Sequence, residues 1–201
     1  PRYFTENLCR TMADLPSVCR HMHIPLQSGS SRVLRSMRRQ YSRDQYLRIV
    51  DRIRSFIPDV ALTTDIIAGY PGESIEEHQE TISVMEAVKF DTAYMFAYSP
   101  RPGTLSADMA ETITEEEKQA RLAEIIEVQR RHTYERLDSS VGTTEDVMLE
   151  GPSRRNGEEW IGKTTHFRKV VLAPGPDAKP GQILATRVIS RRGQILWGER
   201  A

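Results

Sequence analysis

Through residue 138 the chain alternates apolar positions at helical spacing with short β-branched runs. Residues 5–14 read as a short amphipathic helix closed by Pro16, and R-H-M-H-I-P-L at 20–26 as a strand bounded by the turn-prone S-G-S. Ser30 is placed to cap a helix running to Met37. Ser42 and Gln45 form a capping box. Beyond it Tyr46, Ile49, Val50, Ile53 and Phe56 recur on one helical face until Pro58 stops the pattern. V-A-L-T-T-D-I-I-A at 60–68 is expected to be a strand buried on both faces. Ser74 and Glu77 make a second capping box, opening a helix to about Val88. D-T-A-Y-M-F-A-Y at 91–98 is the next expected buried strand, and Thr114 with Glu117 opens a long charged helix to about Leu137.

Strands alternating with helices of more than ten residues predict βαβ units and a parallel sheet. After residue 140 the helical period disappears. Short runs at 145–150, 159–164, 169–172, 182–190 and 194–199 are separated by G-P-S, N-G, P-G-P, K-P-G and R-R-G. Five such strands predict a small all-β barrel of OB-like size. The expected organisation is an α/β unit over 1–138 and a β-barrel over 139–201, with the helix 114–137 bridging them.

A chain of 201 residues suits one large or two small domains and can bury a core without covalent staples. Its 38% hydrophobic and 28% charged residues exclude a disordered composition. No apolar run approaches the ~18 residues of a membrane span. Two cysteines, Cys9 and Cys19, exclude a disulfide scaffold and point to a reducing, cytoplasmic setting. The chain opens without Met or a signal-peptide pattern and runs directly into helical pattern, which reads as the C-terminal part of a longer protein.

The balance of 28 basic and 28 acidic side chains hides a segregation. Residues 1–59 carry 11 basic and 5 acidic side chains, and 60–110 carry 2 and 8. Residues 111–139 carry 5 and 8, and 140–201 carry 10 and 7. Positive blocks can steer a polyanion such as RNA, or they can be solvated faces that pair with the acidic middle.

Three segments fall where strands end, the edge on which ligands of parallel sheets sit. In T-D-I-I-A-G-Y-P-G-E-S (64–74), Gly69 and Gly72 would admit close backbone approach, and the helix after Ser74 would offer free N–H groups. The same pattern also describes a plain βα turn. In H-I-P-L-Q-S-G-S (23–30), Gln27, Ser28 and Ser30 could bond a ribose or a carboxylate, or merely satisfy local backbone. In Y-S-P-R-P-G-T (98–104), two prolines could preset Arg101 for a phosphate or carboxylate; the bland reading is a solvated surface turn. Asp65, on an expected buried strand, needs a partner. His21 and His23 alternate along a strand and would share a face. Arg32, Arg35, Arg38, Arg39 and Arg43 decorate one short helix and its exit, as a solvated face or as contacts to RNA phosphates. In the barrel, Arg154, Arg155, Lys163, Arg168, Lys169, Arg191 and Arg192 interleave with Trp160, His166, Phe167 and Trp197. Basic and aromatic residues on a small barrel suit single-stranded RNA, unless the tryptophans are core.

Taken together and in order, H-I-P-L-Q-S-G-S, T-T-D-I-I-A-G-Y-P-G-E-S, F-D-T-A-Y-M-F-A-Y-S-P-R-P-G-T and the terminal barrel resemble the radical-SAM methylthiotransferases, in particular the tRNA-modifying type. The resemblance covers essentially the whole chain. It implies that 1–138 is the C-terminal half of a partial (βα)6 barrel and that 139–201 is a TRAM domain, an RNA-binding module. It implies S-adenosyl-L-methionine as cofactor. Asp65, Ile67, Gly69 and Glu73 match a variant Gly-x-Ile-x-Gly motif packing on its adenine, with Asp65 departing from the first glycine. Gln27 and Ser28 would face its ribose or methionyl end, and the backbone at Ala97 and Tyr98 its adenine edge. Arg101 would face the substrate, and Arg154, Arg155, Lys163, Arg168 and Lys169 would hold RNA.

The implied substrate is the N6-isopentenyladenosine beside the tRNA anticodon, modified with methylthio at C2 after hydrogen abstraction by a cofactor-derived radical. The base would leave its stack, at a cost of about a few kcal/mol. The family's 4Fe-4S clusters, reduced by an electron donor, have no ligands here, since the Cys-x-x-x-Cys-x-x-Cys motif is missing from these 201 residues. The expected protein is a cytoplasmic monomer, and this chain alone is expected to be inactive. Three alternatives remain open: a methylthiotransferase acting on threonylcarbamoyladenosine, one acting on a ribosomal protein, and a non-catalytic RNA-binding module. Pro102, where the ribosomal-protein type carries an acidic residue, favours tRNA.

Overall fold

The computed structural model describes residues 4–153 and 158–201. It is a mixed α/β protein with a parallel sheet and a closed five-stranded β-barrel. The chain divides into two compact units, one built from Met22–His132 with the segment ending at Thr11, the other from Met12–His21 with Thr133–Ala201.

In the first unit the sheet order is β1(His21–His23), β2(Ala61–Ala68), β3(Thr92–Ala97). The elements around it are α1(Glu6–Asp14), α2(Ser31–Ser36), α3(Arg43–Phe56) and α4(Ile75–Val88), then a 3-10 turn at Leu105–Asp108 and the long α5(Glu115–Asp138). Each predicted cap is present. Ser30 accepts from Val33 N–H, and all three capping boxes, Ser42/Gln45, Ser74/Glu77 and Thr114/Glu117, are closed reciprocally. A cap of this kind contributes about 1 kcal/mol, which fixes where each helix starts. β1 is shorter than the 20–26 run because Pro25 has no N–H for the ladder. Pairing nevertheless resumes as an isolated bridge between Gln27 and Ile66.

The core lies on one side of the sheet. Tyr46, Val50 and Ile53 of α3 and Val84, Met85 and Val88 of α4 are buried together with Ile24, Leu26, Leu62 and Ile66. Gly29 permits this packing: a Cβ there would stand 2.4 Å from the Glu80 carbonyl oxygen. Burial of β2 and β3 on both faces is not found. The register pairs Asp65 with Tyr94 and Ile67 with Phe96, and these four positions share one face. On it Thr63, Asp65 and Ile67 are half-buried, and Tyr94 and Phe96 are 59% and 54% exposed. An apolar run signals burial but not which of two faces is covered.

In the second unit β4(Thr144–Pro152), β5(Trp160–Thr164), β6(Lys169–Leu172), β7(Ile183–Arg192) and β8(Ile195–Arg200) close in the order β4-β5-β6-β8-β7. Val147, Leu149, Val170, Leu172, Leu184, Val188 and Leu196 alternate inward and fill it, with Trp160 packed against them. The β6–β8 pair is parallel and the other four pairs are antiparallel.

Candidate functional site

The ends of the three parallel strands open onto a cavity of about 810 Å³, within the range of small-molecule sites. Gln27, Asp65, Ile67, Ala97, Tyr98 and Arg101 all line it. The segment after β1 is held from α3 and the turn before it. Tyr46 Oη donates to the Ile24 carbonyl at 2.8 Å, and Tyr41 Oη reaches the carbonyls of Pro25 and Leu26 at 3.0 and 3.1 Å. Burial pushes the Tyr41 phenol up to about 12, so it stays a donor across ordinary pH. Gln27 follows with φ of +65°, a left-handed conformation that costs a non-glycine residue about 1 kcal/mol or more. Arg38, with φ of +55°, is a second such residue on the same cavity.

Asp65 finds its partner in His23, whose Nε2 lies 3.3 Å from Asp65 Oδ2 while its Nδ1 lies 3.0 Å from Thr63 Oγ1. His21 takes a different role and stacks on Phe167, ring centroids 4.9 Å apart. Tyr98 is anchored by its N–H on the Ala68 carbonyl at 2.8 Å. Its hydroxyl is buried with no hydrogen-bond partner among the described residues. A buried orphan hydroxyl costs about 1–3 kcal/mol, so its presence beside a cavity fits a ligand that would satisfy it.

Ser28, Gly69 and Glu73 do not line the cavity. Ser28 Oγ is fully buried and accepts from Ser30 N–H at 3.1 Å. Gly69, with φ of +71°, is needed for close approach, but by protein: a Cβ there would lie 2.6 Å from Lys118 Cγ. Glu73 accepts from Gly69 N–H and from Arg121 Nη1, both at 3.0 Å, with its side chain 1% exposed. Burial pushes the Glu73 carboxyl above the usual carboxylate range, against the pull of Arg121 and the Gly69 N–H. The Gly-rich loop is thus a packed brace. Nor is the α4 N-terminus open: Ser74 and Glu77 cap each other there. Arg32 closes on Glu77 and on the Gly72 carbonyl.

Arg43 also serves the fold, bonding Ser83 Oγ at 3.0 Å. Arg38 and Arg39, which follow α2, do line the cavity. Their only signal in the sequence is a basic pair just past a helix end, not separable there from the solvated members of the same block.

On the barrel, Lys163 and Lys169 are cross-strand neighbours on β5 and β6, and Lys169 is exposed. Lys163 Nζ lies 4.1 Å from the centroid of the exposed Phe167 ring and pairs with Glu150 at 2.9 Å. Arg168 is 14% exposed and bonds Ser140 Oγ at 2.6 Å, so it braces the barrel. Arg192 covers the Trp197 ring at 4.4 Å. Arg154 and Arg155 lie outside the described residues.

Among the described residues no cluster of three or more His, Cys, Asp or Glu could hold a metal ion. Cys9 is buried and free, and Cys19 is exposed and free. An iron–sulfur cluster therefore has no fitting ligand set among the described residues. S-adenosylmethionine does have fitting residues: apolar Ile67 and Ala97 for an adenine face, and Gln27, Asp65 and the Tyr98 hydroxyl for its polar groups.

Residues 1–85 match the model of the Radical SAM superfamily. Along almost its whole length the chain is similar to curated proteins named tRNA-2-methylthio-N(6)-dimethylallyladenosine synthase. The relative from Methylacidiphilum infernorum is 38% identical over 198 residues, 98% of this chain and 42% of the relative. That from Chlorobium chlorochromatii is 42% identical over 200 residues, 99% and 44%. That from Fusobacterium nucleatum is 41% identical over 199 residues, 99% and 46%. The chain spans less than half the length of these relatives.

Proposed function

We propose that the chain belongs to the radical-SAM methylthiotransferase family and is the C-terminal part of an enzyme that adds methylthio to C2 of N6-isopentenyladenosine in tRNA. In this reading residues 1–138 are the second half of a partial (βα)6 barrel and 139–201 a TRAM-type RNA-binding module. The single observation that carries it is the convergence of Gln27, Asp65, Ile67, Ala97 and Tyr98 on one cavity at the ends of parallel strands. Ile67 and Ala97 pack on the adenine of S-adenosylmethionine. The Tyr98 hydroxyl gains a partner from the nucleoside. Asp65, oriented by His23, meets the ribose hydroxyls or the ammonium group. Ser28, Gly69 and Glu73 act one layer behind, by fixing the loops that carry these groups. The cofactor supplies radical chemistry when it is bound beside a reduced 4Fe-4S cluster, whose ligands and electron donor come from outside these residues.

Lys163, Lys169 and Phe167 form the barrel's contact to the anticodon stem-loop, pairing charge with an exposed ring. Arg168 supports that face from within.

The test is nucleoside mass spectrometry of tRNA from cells with and without the gene that encodes this chain. Loss of the 2-methylthio form with accumulation of N6-isopentenyladenosine is expected. An unchanged 2-methylthio level would contradict the assignment, and loss from threonylcarbamoyladenosine instead would move the substrate.

A further inference from the structure

We propose that Arg38, Arg39 and Arg101 form a phosphodiester-binding rim on the strand-end cavity, which takes the RNA backbone next to the nucleoside being modified. This rests on the reading of the chain as part of an RNA-modifying enzyme, and it places RNA contacts on the first unit.

Three observations carry it. All three arginines line the cavity, one arriving from the β3 end and two from the α2 exit. Their guanidinium groups make no hydrogen bond or ion pair among the described residues. Arg32, Arg43, Arg52 and Arg121 of the same unit do, with Glu77, Ser83, the Phe4 carbonyl and Glu73 respectively. Arg35 and Arg48 also lack such partners but do not line the cavity, so lack of a partner and position on the cavity coincide at Arg38, Arg39 and Arg101. Third, the chain holds them in set positions. Arg39 N–H bonds the Leu34 carbonyl at 2.9 Å, closing the helix end with Arg38 in a left-handed conformation that glycine would adopt without strain. The Arg101 carbonyl is tied down by Thr104 N–H at 3.2 Å and Thr104 Oγ1 at 2.8 Å.

The sign of the charge selects the ligand. Among the described residues that line this cavity, Asp65 is the one carboxylate, and His23 already bonds it. S-adenosylmethionine carries a sulfonium and an ammonium against a single carboxylate, so three unpaired guanidinium groups exceed what it can neutralise. A nucleic-acid strand brings a phosphate with every residue, and arginine's planar donor fork matches phosphate oxygens. The cavity is thus divided, with Asp65 and Gln27 suited to a cationic nucleoside cofactor and the arginine rim to an anionic strand.

The experiment uses the 201-residue chain with Arg38→Ala, Arg39→Ala and Arg101→Ala. Arg35→Ala is the charge-matched control, exposed on α2 and not lining the cavity. Urea unfolding confirms that each variant folds, and Arg38→Lys keeps the charge should Arg38→Ala fail to fold. The first probe is a fluorescent anticodon stem-loop RNA titrated at several salt concentrations. Each rim variant is expected to lower the slope of log affinity against log salt by about 0.7–0.9, with Arg35→Ala unchanged. Rim variants indistinguishable from Arg35→Ala overturn the proposal. The second probe compares AMP with adenosine by NMR. AMP binding several-fold tighter than adenosine, with that gain lost in the rim variants, supports an anion site even if the stem-loop does not bind, an outcome that would sink the tRNA reading alone. Equal binding of AMP and adenosine overturns the rim. So does loss of S-adenosylmethionine affinity in the rim variants with AMP unaffected, since the cofactor carboxylate would then be the ligand.

Discussion

The Gln27 N–H donates to the Asp65 carbonyl at 2.8 Å, and the Gln27 carbonyl accepts from Ile67 N–H at 3.0 Å. A left-handed residue beyond β1 is thereby stitched to the strand whose side chains line the cavity. The backbone strain is held by main-chain pairing, which leaves the Gln27 amide free for a ligand. Gln27→Gly should relieve the strain at the cost of extra chain entropy, leaving stability within about 1 kcal/mol of the parent. Loss of the amide should weaken S-adenosylmethionine about fivefold, the worth of one hydrogen bond. Urea unfolding and calorimetry check the two halves separately.

The three glycines of the strand-end loops should rank by what a methyl group meets. Gly29→Ala faces backbone of α4 at 2.4 Å, which cannot yield, and should cost about 3 kcal/mol or more. Gly69→Ala meets the Lys118 side chain at 2.6 Å and its Cα at 3.3 Å, in a left-handed conformation, and should cost about 2 kcal/mol. Gly72→Ala has nothing within 4 Å and should cost only about 1 kcal/mol for its φ of +76°. Thermal denaturation of the three variants tests the order.

The elements were legible because their punctuation is local. Capping boxes at Ser42/Gln45 and Ser74/Glu77 and a stop at Pro58 place helices to within a residue or two. Four features were not legible, each for a non-local reason. The open face of β2 and β3 depends on what covers the sheet, which no run of apolar residues encodes. The His23–Asp65 pair needs strand register, 42 positions apart in the chain. Gly69 and Glu73 read as ligand-facing because a glycine that admits a ligand and one that admits Lys118 have the same spacing. The parallel β6–β8 pairing is hidden in the same way, since each strand's own pattern is indifferent to its neighbour's direction.

Acid should act on the fold through Glu77. Hydrogen bonding from Arg32 holds its carboxyl down at about 2, far below the ordinary 4.5. Its contribution is fully present above 4.5 and is lost as pH falls from there toward 2. Glu73 has the opposite sign: with its carboxyl raised by burial, the folded state keeps that proton to higher pH than the unfolded chain. Glu77→Gln should therefore flatten the fall of stability between pH 4.5 and 2, and Arg32→Ala should flatten it in part, because the Ser74 N–H and the Ser30 hydroxyl still bond the carboxylate. Urea midpoints across that range decide the point.

In the barrel, two neighbouring basic residues should separate cleanly. Arg168→Ala removes a hydrogen bond to Ser140 and a charge partner of Glu145, which keeps His166, and should lower stability by about 1–2 kcal/mol. Lys169→Ala should leave stability within about 0.5 kcal/mol and lower the RNA salt slope by about 0.7. Fluorescence anisotropy beside chemical denaturation reads both.

The most direct measurement is titration of the isotopically labelled chain with S-adenosylmethionine, followed by backbone NMR. A saturable set of shifts at Gln27, Asp65–Ile67 and Ala97–Tyr98, abolished when Ala97→Trp fills the cavity, is the expected result. No saturable binding, or shifts that leave these residues untouched, would contradict a cofactor site at the ends of these strands.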